Sequence, residues 1–151
     1  MKTAIVCGID GSPDSQAALA YATELADQLD ARLVLAHVVE PAPSPYTTIG
    51  PVAGAAPPYS STMLEREVEG GRLLGELAET TGIDRAEQRV VTGIPAERLA
   101  DLADDEEAQL IVVGSRGRGP LRSALLGSVS MSLIGLARCP VLVVPPGAVI
   151  P

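Results

Sequence analysis

Leu110-Ile111-Val112-Val113-Gly114 leads into Ser115-Arg116-Gly117-Arg118-Gly119, and after a further seven residues the chain reads Gly127-Ser128-Val129-Ser130. The first run is apolar and mostly β-branched, as a strand covered on both faces is. Gly114, Gly117 and Gly119 then open the backbone to conformations closed to other residues and let N–H groups approach an anion closely. Gly127-Ser128 begins a helix, whose first N–H groups lack partners within the helix and whose positive dipole end favours phosphate. Ser128 and Ser130 add hydroxyl donors. The stretch therefore reads as strand, glycine loop and helix, one unit of a parallel α/β sheet, with the parts of a lysine-free phosphate cradle.

Each part also has a plainer reading. A glycine-rich strand-to-helix loop is often only a tight turn, Ser128 is equally a helix cap, and Arg116, Arg118 and Arg122 are equally a solvated basic face. Their coincidence favours an anion site, because all nineteen acids lie at or before Glu107, with seven bases, and only four arginines and no acid follow.

Four other short apolar runs flank this one: Ala4 to Ile9, Leu33 to Val39, Gln88 to Thr92, and Val141 to Val144. The run at Gln88 is more polar than the rest and belongs toward a sheet edge. Ser12-Pro13 has the form of a helix cap followed by proline at the first helical position, and Ala18, Ala22, Leu25 and Leu29 mark one face of a helix over 13–29. Residues 41–58 hold six prolines and two glycines and read as a flexible loop. Leu64, Val68, Leu74, Leu77 and Ala78 restore helical spacing over 60–81, where Gly70-Gly71 weakens or bends the middle. A third helix starts at Pro95 and ends in Asp104-Asp105-Glu106-Glu107, acids that oppose the helix dipole. A fourth follows Gly127 to about Ala137.

Strands and helices alternating in this way call for an open parallel sheet with helices on both faces and right-handed crossovers, as one domain over 1–151. Ligands in such folds bind beyond the carboxyl ends of the strands. The candidate site is then drawn from Ile9-Asp10-Gly11-Ser12, Val38 to Glu40, Thr92 to Ile94 and Gly114 to Ser130.

Composition removes several functions. The chain is 46% hydrophobic with three Tyr, no Phe and no Trp, so it lacks the rings on which nucleic-acid bases stack. A net charge of −8 repels polyanions, which argues against DNA or RNA as a partner. Lys2 is the sole lysine, so the lysine of a Walker A loop is missing. The apolar run from Thr3 to Ile9 is too short for a signal peptide and 123–137 is too short to cross a membrane, which points to the cytoplasm. Cys7 and Cys139 suit a reducing compartment and match no zinc spacing.

The spacing Gly114-x-x-Gly117, nine residues, Gly127-Ser128 resembles the motif of the ATP-binding branch of the universal stress protein family. Gly8-Ile9-Asp10-Gly11-Ser12 and Cys139-Pro140-Val141-Leu142-Val143-Val144 match that family as well, so the resemblance covers essentially the whole chain. It implies a Rossmann-like five-stranded sheet of order 3-2-1-4-5. It also implies that Asp10 lies by the nucleotide, that the backbone near Val38 meets the adenine, and that Gly114, Gly117, Gly127, Ser128, Val129 and Ser130 surround ribose and phosphates. Arg116 sits at a position the motif leaves free. ATP is the implied ligand, with Mg²⁺ or Mn²⁺ on its phosphates.

The implied function is a nucleotide-dependent regulatory or stress-response protein with at most slow ATP hydrolysis; no nucleophile elbow, metal cluster or base beyond Asp10 is in view. The alternatives are an interaction module of the same fold that binds AMP or a cyclic nucleotide, or no nucleotide, and an enzyme whose main function is ATP hydrolysis. In the implied order the fifth strand lies at an edge, so Val141, Leu142, Val143 and Val144 invite pairing in a homodimer. Strand four would also separate Cys7 from Cys139, too far for a disulfide. Asp10 before Gly-Ser-Pro is also a common turn former, Gly93 before Pro95 also suits a plain turn, and His37 among apolar neighbours reads as a packed residue.

Overall fold

The structure is a computed structural model that describes residues 2–41, 59–117 and 126–150. All of the 41–58 loop except Pro41 lies outside the described residues, as do Arg118 and Arg122. The elements run β1 (Ala4–Gly8), α1 (Pro13–Gln28), β2 (Arg32–Val39), α2 (Tyr59–Thr81), β3 (Glu87–Thr92), α3 (Pro95–Asp105), β4 (Ala108–Gly114), α4 (Ser128–Leu136) and β5 (Val141–Val144). The five strands form one parallel sheet in the order β3-β2-β1-β4-β5, as the resemblance implies. The polar third strand does lie at an edge.

Side chains alternate across the sheet, so each central strand feeds two cores. Ile5, Cys7, Leu35 and Val112 pack with Leu19 of α1 and Leu74 of α2. Val6, Val34, Ile111 and Val113 pack on the other face with Leu99 and Leu102 of α3 and Leu133 of α4. The two cysteines fall on opposite faces and are free, Cys7 in the first core and Cys139 beside the second. Full burial pushes the Cys7 thiol up to about 12, so it serves as a small apolar residue.

Helix α1 starts where Ser12-Pro13 predicts. The Ser15 N–H donates to Ser12 Oγ at 3.2 Å, which satisfies a first-turn donor. Ala18, Leu19 and Ala22 are buried, but Leu29, expected on the inner face, is 52% exposed. The helix stops at Gln28, and Asp30 at φ 49° turns the chain back toward β2, which leaves Leu29 on the outside of the corner.

Helix α2 departs further from the sequence reading. Leu74 and Ala78 are buried as expected, whereas Leu64 and Val68 are 61% and 65% exposed. Length explains the difference. A helix of 23 residues spans roughly 34 Å, while the eight residues of β2 span roughly 26 Å. Because α2 runs opposite to the strands, its N-terminal half overhangs their carboxyl ends and finds no sheet to cover it. The helix passes unbroken through Gly70-Gly71.

The acidic end of α3 is compensated by arginines from the sheet. Glu106 accepts from Arg32 at 3.2 Å and pairs with Arg89 at 3.1 Å, and both arginines also reach Glu87 at 2.6 Å. Hydrogen bonds from Arg32 and then Arg89 hold the Glu87 carboxyl below the usual range. The ring of four charges ties β2, β3 and the end of α3 together at the edge opposite the strands' carboxyl ends.

Candidate functional site

Above the carboxyl ends of β1, β2 and β4 lies a cleft of about 760 Å³, walled on one side by the overhanging half of α2 and on the other by the N-terminus of α4. Its two ends differ in chemistry. Toward β2 and α2 the apolar residues Ile9, Ala36, Val38, Val39 and Leu73 line it beside the charged Glu40, Arg66, Glu69 and Arg72. Toward β4 and α4 it is formed by Gly114, Arg116, Gly117 and the turn from Gly127 to Ser130.

At the β4 end the chain makes three fixed contacts. The Ser115 N–H donates to Val144 O at 2.8 Å, the Gly127 N–H donates to Ser115 O at 2.6 Å, and the buried Ser130 hydroxyl donates to Gly114 O at 2.9 Å. The hydroxyl of Ser130 thus holds α4 against β4. Gly127 is the cap residue of α4, and no side chain closes the first-turn donors that follow it. Those N–H groups and the dipole behind them are available to an anion in the cleft.

Helix α1 is closed by contrast. Asp14, in its first turn and nearly buried, accepts from the Ser115 hydroxyl and the Arg116 N–H, both at 3.1 Å. The same Oδ2 atom lies 3.7 Å from Arg116 Nε. One carboxylate therefore clamps the start of the glycine loop to α1 and occupies that helix's positive end. Gly114 sits so close to Asp14 that a Cβ there would stand 2.7 Å from its carbonyl carbon.

Asp10 is oriented by the turn it begins. The Ser12 N–H donates to Oδ1 at 2.9 Å and the Ser12 hydroxyl donates to the same atom. Oδ2 is left facing Gly117, where a Cβ would come within 2.7 Å of it. Asp10 is thus both the turn former and a group on the cleft wall, and these readings are compatible.

Residues 1–145 match the model of the universal stress protein family. The chain belongs to that family. A universal stress protein of Thermus aquaticus is 34% identical over 145 residues, which cover 95% of this chain and 99% of the relative. The fold is similar to that of a universal stress protein from Lactobacillus plantarum at TM-score 0.76 and 21% identity, covering 95% of this chain and 97% of that one. It is similar also to a universal stress protein solved in complex with cAMP, at TM-score 0.62 and 28% identity, covering 95% and 96%.

Within this universal stress protein fold, ten of the twelve residues singled out in the sequence line one cleft: Ile9, Asp10, Val38, Gly114, Arg116, Gly117, Gly127, Ser128, Val129 and Ser130. Gly11 and Ser12 do not line it. Gly11 takes φ +78° in the turn, and Ser12 caps α1 and holds Asp10. Gly93, at φ +143° with the Arg98 side chain against it, also lies outside the lining. No group of three or more metal-ligating side chains occurs among the described residues. No helix of the described residues is long and apolar enough to cross a membrane.

The sequence reading missed Asp14, Gly70 and the α2 arginines Arg66 and Arg72, and His37, read as packed, also lines the cleft. Gly70 had a signal that was read otherwise, as a weak point in a helix. A Cβ there would stand 2.6 Å from His37 Cδ2, so the glycine makes room for the imidazole.

Proposed function

We propose that the cleft binds ATP, which places the chain in the ATP-binding branch of its family as a nucleotide-dependent regulatory protein of the stress response. The observation that carries the reading is the polarity of the cleft. An end carrying the apolar Ile9, Ala36, Val38, Val39 and Leu73, suited to a base, is joined to an end where α4 presents first-turn N–H groups with no side-chain cap, beside Gly114 and Gly117. The relative solved with cAMP supports an adenine nucleotide in this fold at 28% identity. It also supports the second reading, in which AMP or a cyclic nucleotide takes the same place.

A Mg²⁺ or Mn²⁺ ion would ride on the phosphate oxygens with few protein ligands, as such ions commonly do. Asp10 fits that arrangement, since its Oδ2 faces Gly117 at the phosphate end. When bound, the ion would neutralise phosphate charge. Hydrolysis is expected to be slow: Asp10 Oδ1 already accepts from Ser12, and the sole lysine, Lys2, is remote from the cleft lining.

Calorimetric titration with ATP–Mg²⁺, AMP and cAMP tests the reading. ATP–Mg²⁺ is expected to bind at micromolar Kd and more tightly than AMP or cAMP. Absence of ATP binding at millimolar concentration would overturn the proposal, and tighter binding of AMP or cAMP would favour the second reading. Phosphate release faster than about once per minute, still slow beside an enzyme median near 10 per second, would move the function toward an ATPase.

Strand β5 lies at the sheet edge with Val141, Leu142 and Val143 only partly covered. Met131 and Ile134 of α4 are exposed. We propose that β5 pairs with a second copy in a homodimer. Sedimentation that finds only monomer at micromolar concentration would count against it.

A further inference from the structure

We infer that His37 is a specificity-determining residue of the cleft, accepting a hydrogen bond from the exocyclic amine of adenine. The inference rests on the nucleotide reading above and adds which base is selected and by which atom. His37 lines the apolar end of the cleft, where its neighbours are Ile9, Val38, Val39 and Leu73. The other hydrogen-bonding side chains lining that half are charged. His37 offers a ring nitrogen there instead.

The geometry fixes which way the ring works. His37 Nδ1 lies 2.8 Å from Ile9 O, and because a carbonyl oxygen only accepts, Nδ1 carries the proton. In the neutral imidazole Nε2 is then an acceptor with its lone pair directed away from Ile9. Nε2 has no hydrogen-bond partner among the described residues, and it is not a buried polar atom left without one. It lies on the ring edge that passes Gly70, where a Cβ would be 2.6 Å from Cδ2 and 3.4 Å from Nε2. Gly70 lines the cleft beside His37 and lacks the Cβ that would press on that edge.

An acceptor here discriminates between purines. Adenine carries an amino group at position 6, a donor, whereas hypoxanthine and guanine carry a carbonyl oxygen, a second acceptor. Facing Nε2, the carbonyl would set two lone pairs against each other and forfeit the hydrogen bond that the amine of adenine makes there.

The test compares ATP with ITP, which has hypoxanthine in place of adenine. The parent is expected to bind ATP–Mg²⁺ at least about tenfold more tightly than ITP–Mg²⁺, a ratio equivalent to about 1.4 kcal/mol. In His37→Asn the side-chain amide keeps the donor to Ile9 O and removes the Nε2 acceptor. ATP affinity should then fall until the ATP:ITP ratio is within about threefold of unity, with ITP affinity little changed. His37→Gln, whose longer amide reaches the Nε2 position, should retain a preference for ATP.

A purely structural histidine would weaken both nucleotides equally and leave the ratio intact, and that result would overturn the assignment. So would a parent that binds ATP and ITP alike. Binding of neither nucleotide by the parent would instead overturn the nucleotide reading itself, and this assignment with it.

Discussion

Gly114→Ala is expected to destabilise the protein by about 2 to 3 kcal/mol, in the upper range for overpacking at a well-packed site. The added Cβ would stand 2.7 Å from both the carbonyl carbon and the Cβ of Asp14, and 2.8 Å from its carbonyl oxygen. Two of those three atoms are backbone in the first turn of α1, so no rotamer change relieves the contact. The helix must shift from β4, and α1 is the helix whose Ala18, Leu19 and Ala22 fill the first core. The same shift pulls Asp14 from Ser115 and Arg116, which loosens the loop along with the fold. Urea denaturation of parent and variant measures the effect. Gly127→Ala is the control, because its Cβ would meet nothing nearer than Ser115 O at 3.4 Å, and it should cost less than about 1 kcal/mol. A Gly114→Ala midpoint no lower than that of Gly127→Ala would refute the account of Gly114 as a packing requirement.

That contact also marks where sequence reasoning stops. Strands β1, β2 and β4 were legible because a strand buried on both faces is written as a continuous apolar run. The start of α1 was legible because Ser-Pro is a local signal satisfied by local atoms, here the Ser15 N–H. Asp14 had a local explanation of the same kind. An acid in a first helical turn suits the dipole in any helix, so nothing in its neighbourhood announces that its partners are 101 and 102 residues away.

The exposure of Leu64 and Val68 was hidden for a different reason. Periodicity identifies which residues share a helical face, but whether that face meets a sheet depends on the lengths of other elements. The overhang that exposes them also carries Arg66, Glu69 and Gly70 to the cleft. One mismatch between helix and strand length therefore accounts both for the failed core assignment and for the missed wall of the site. His37 shows the reverse. It is indeed packed, against Ile9 O and Gly70, yet it also lines the cleft.

Gly117→Ala separates binding from stability. Its Cβ would come 2.7 Å from Asp10 Oδ2 but no nearer than 4.0 Å to Asp10 Cγ, so the obstructing atom is the end of a side chain. Asp10 can rotate to relieve it, and the fold should lose less than about 1 kcal/mol. Rotation has a consequence at the site, because Oδ1 is held by the Ser12 N–H and hydroxyl. Moving Oδ2 either breaks those bonds or swings the carboxylate off the cleft wall. Losing a contact made by a charged group costs roughly 1.5 to 3 kcal/mol, and ATP–Mg²⁺ affinity is expected to fall roughly 10- to 100-fold with the unfolding midpoint nearly unchanged. Asp10→Ala removes the atom that the new methyl meets. If Asp10 transmits the effect, Gly117→Ala should cost less than about threefold in the Asp10→Ala background, a strongly non-additive cycle. Equal losses in both backgrounds would mean that the methyl acts on the nucleotide or the loop backbone directly, and that the contact between Asp10 and Gly117 has no part in binding.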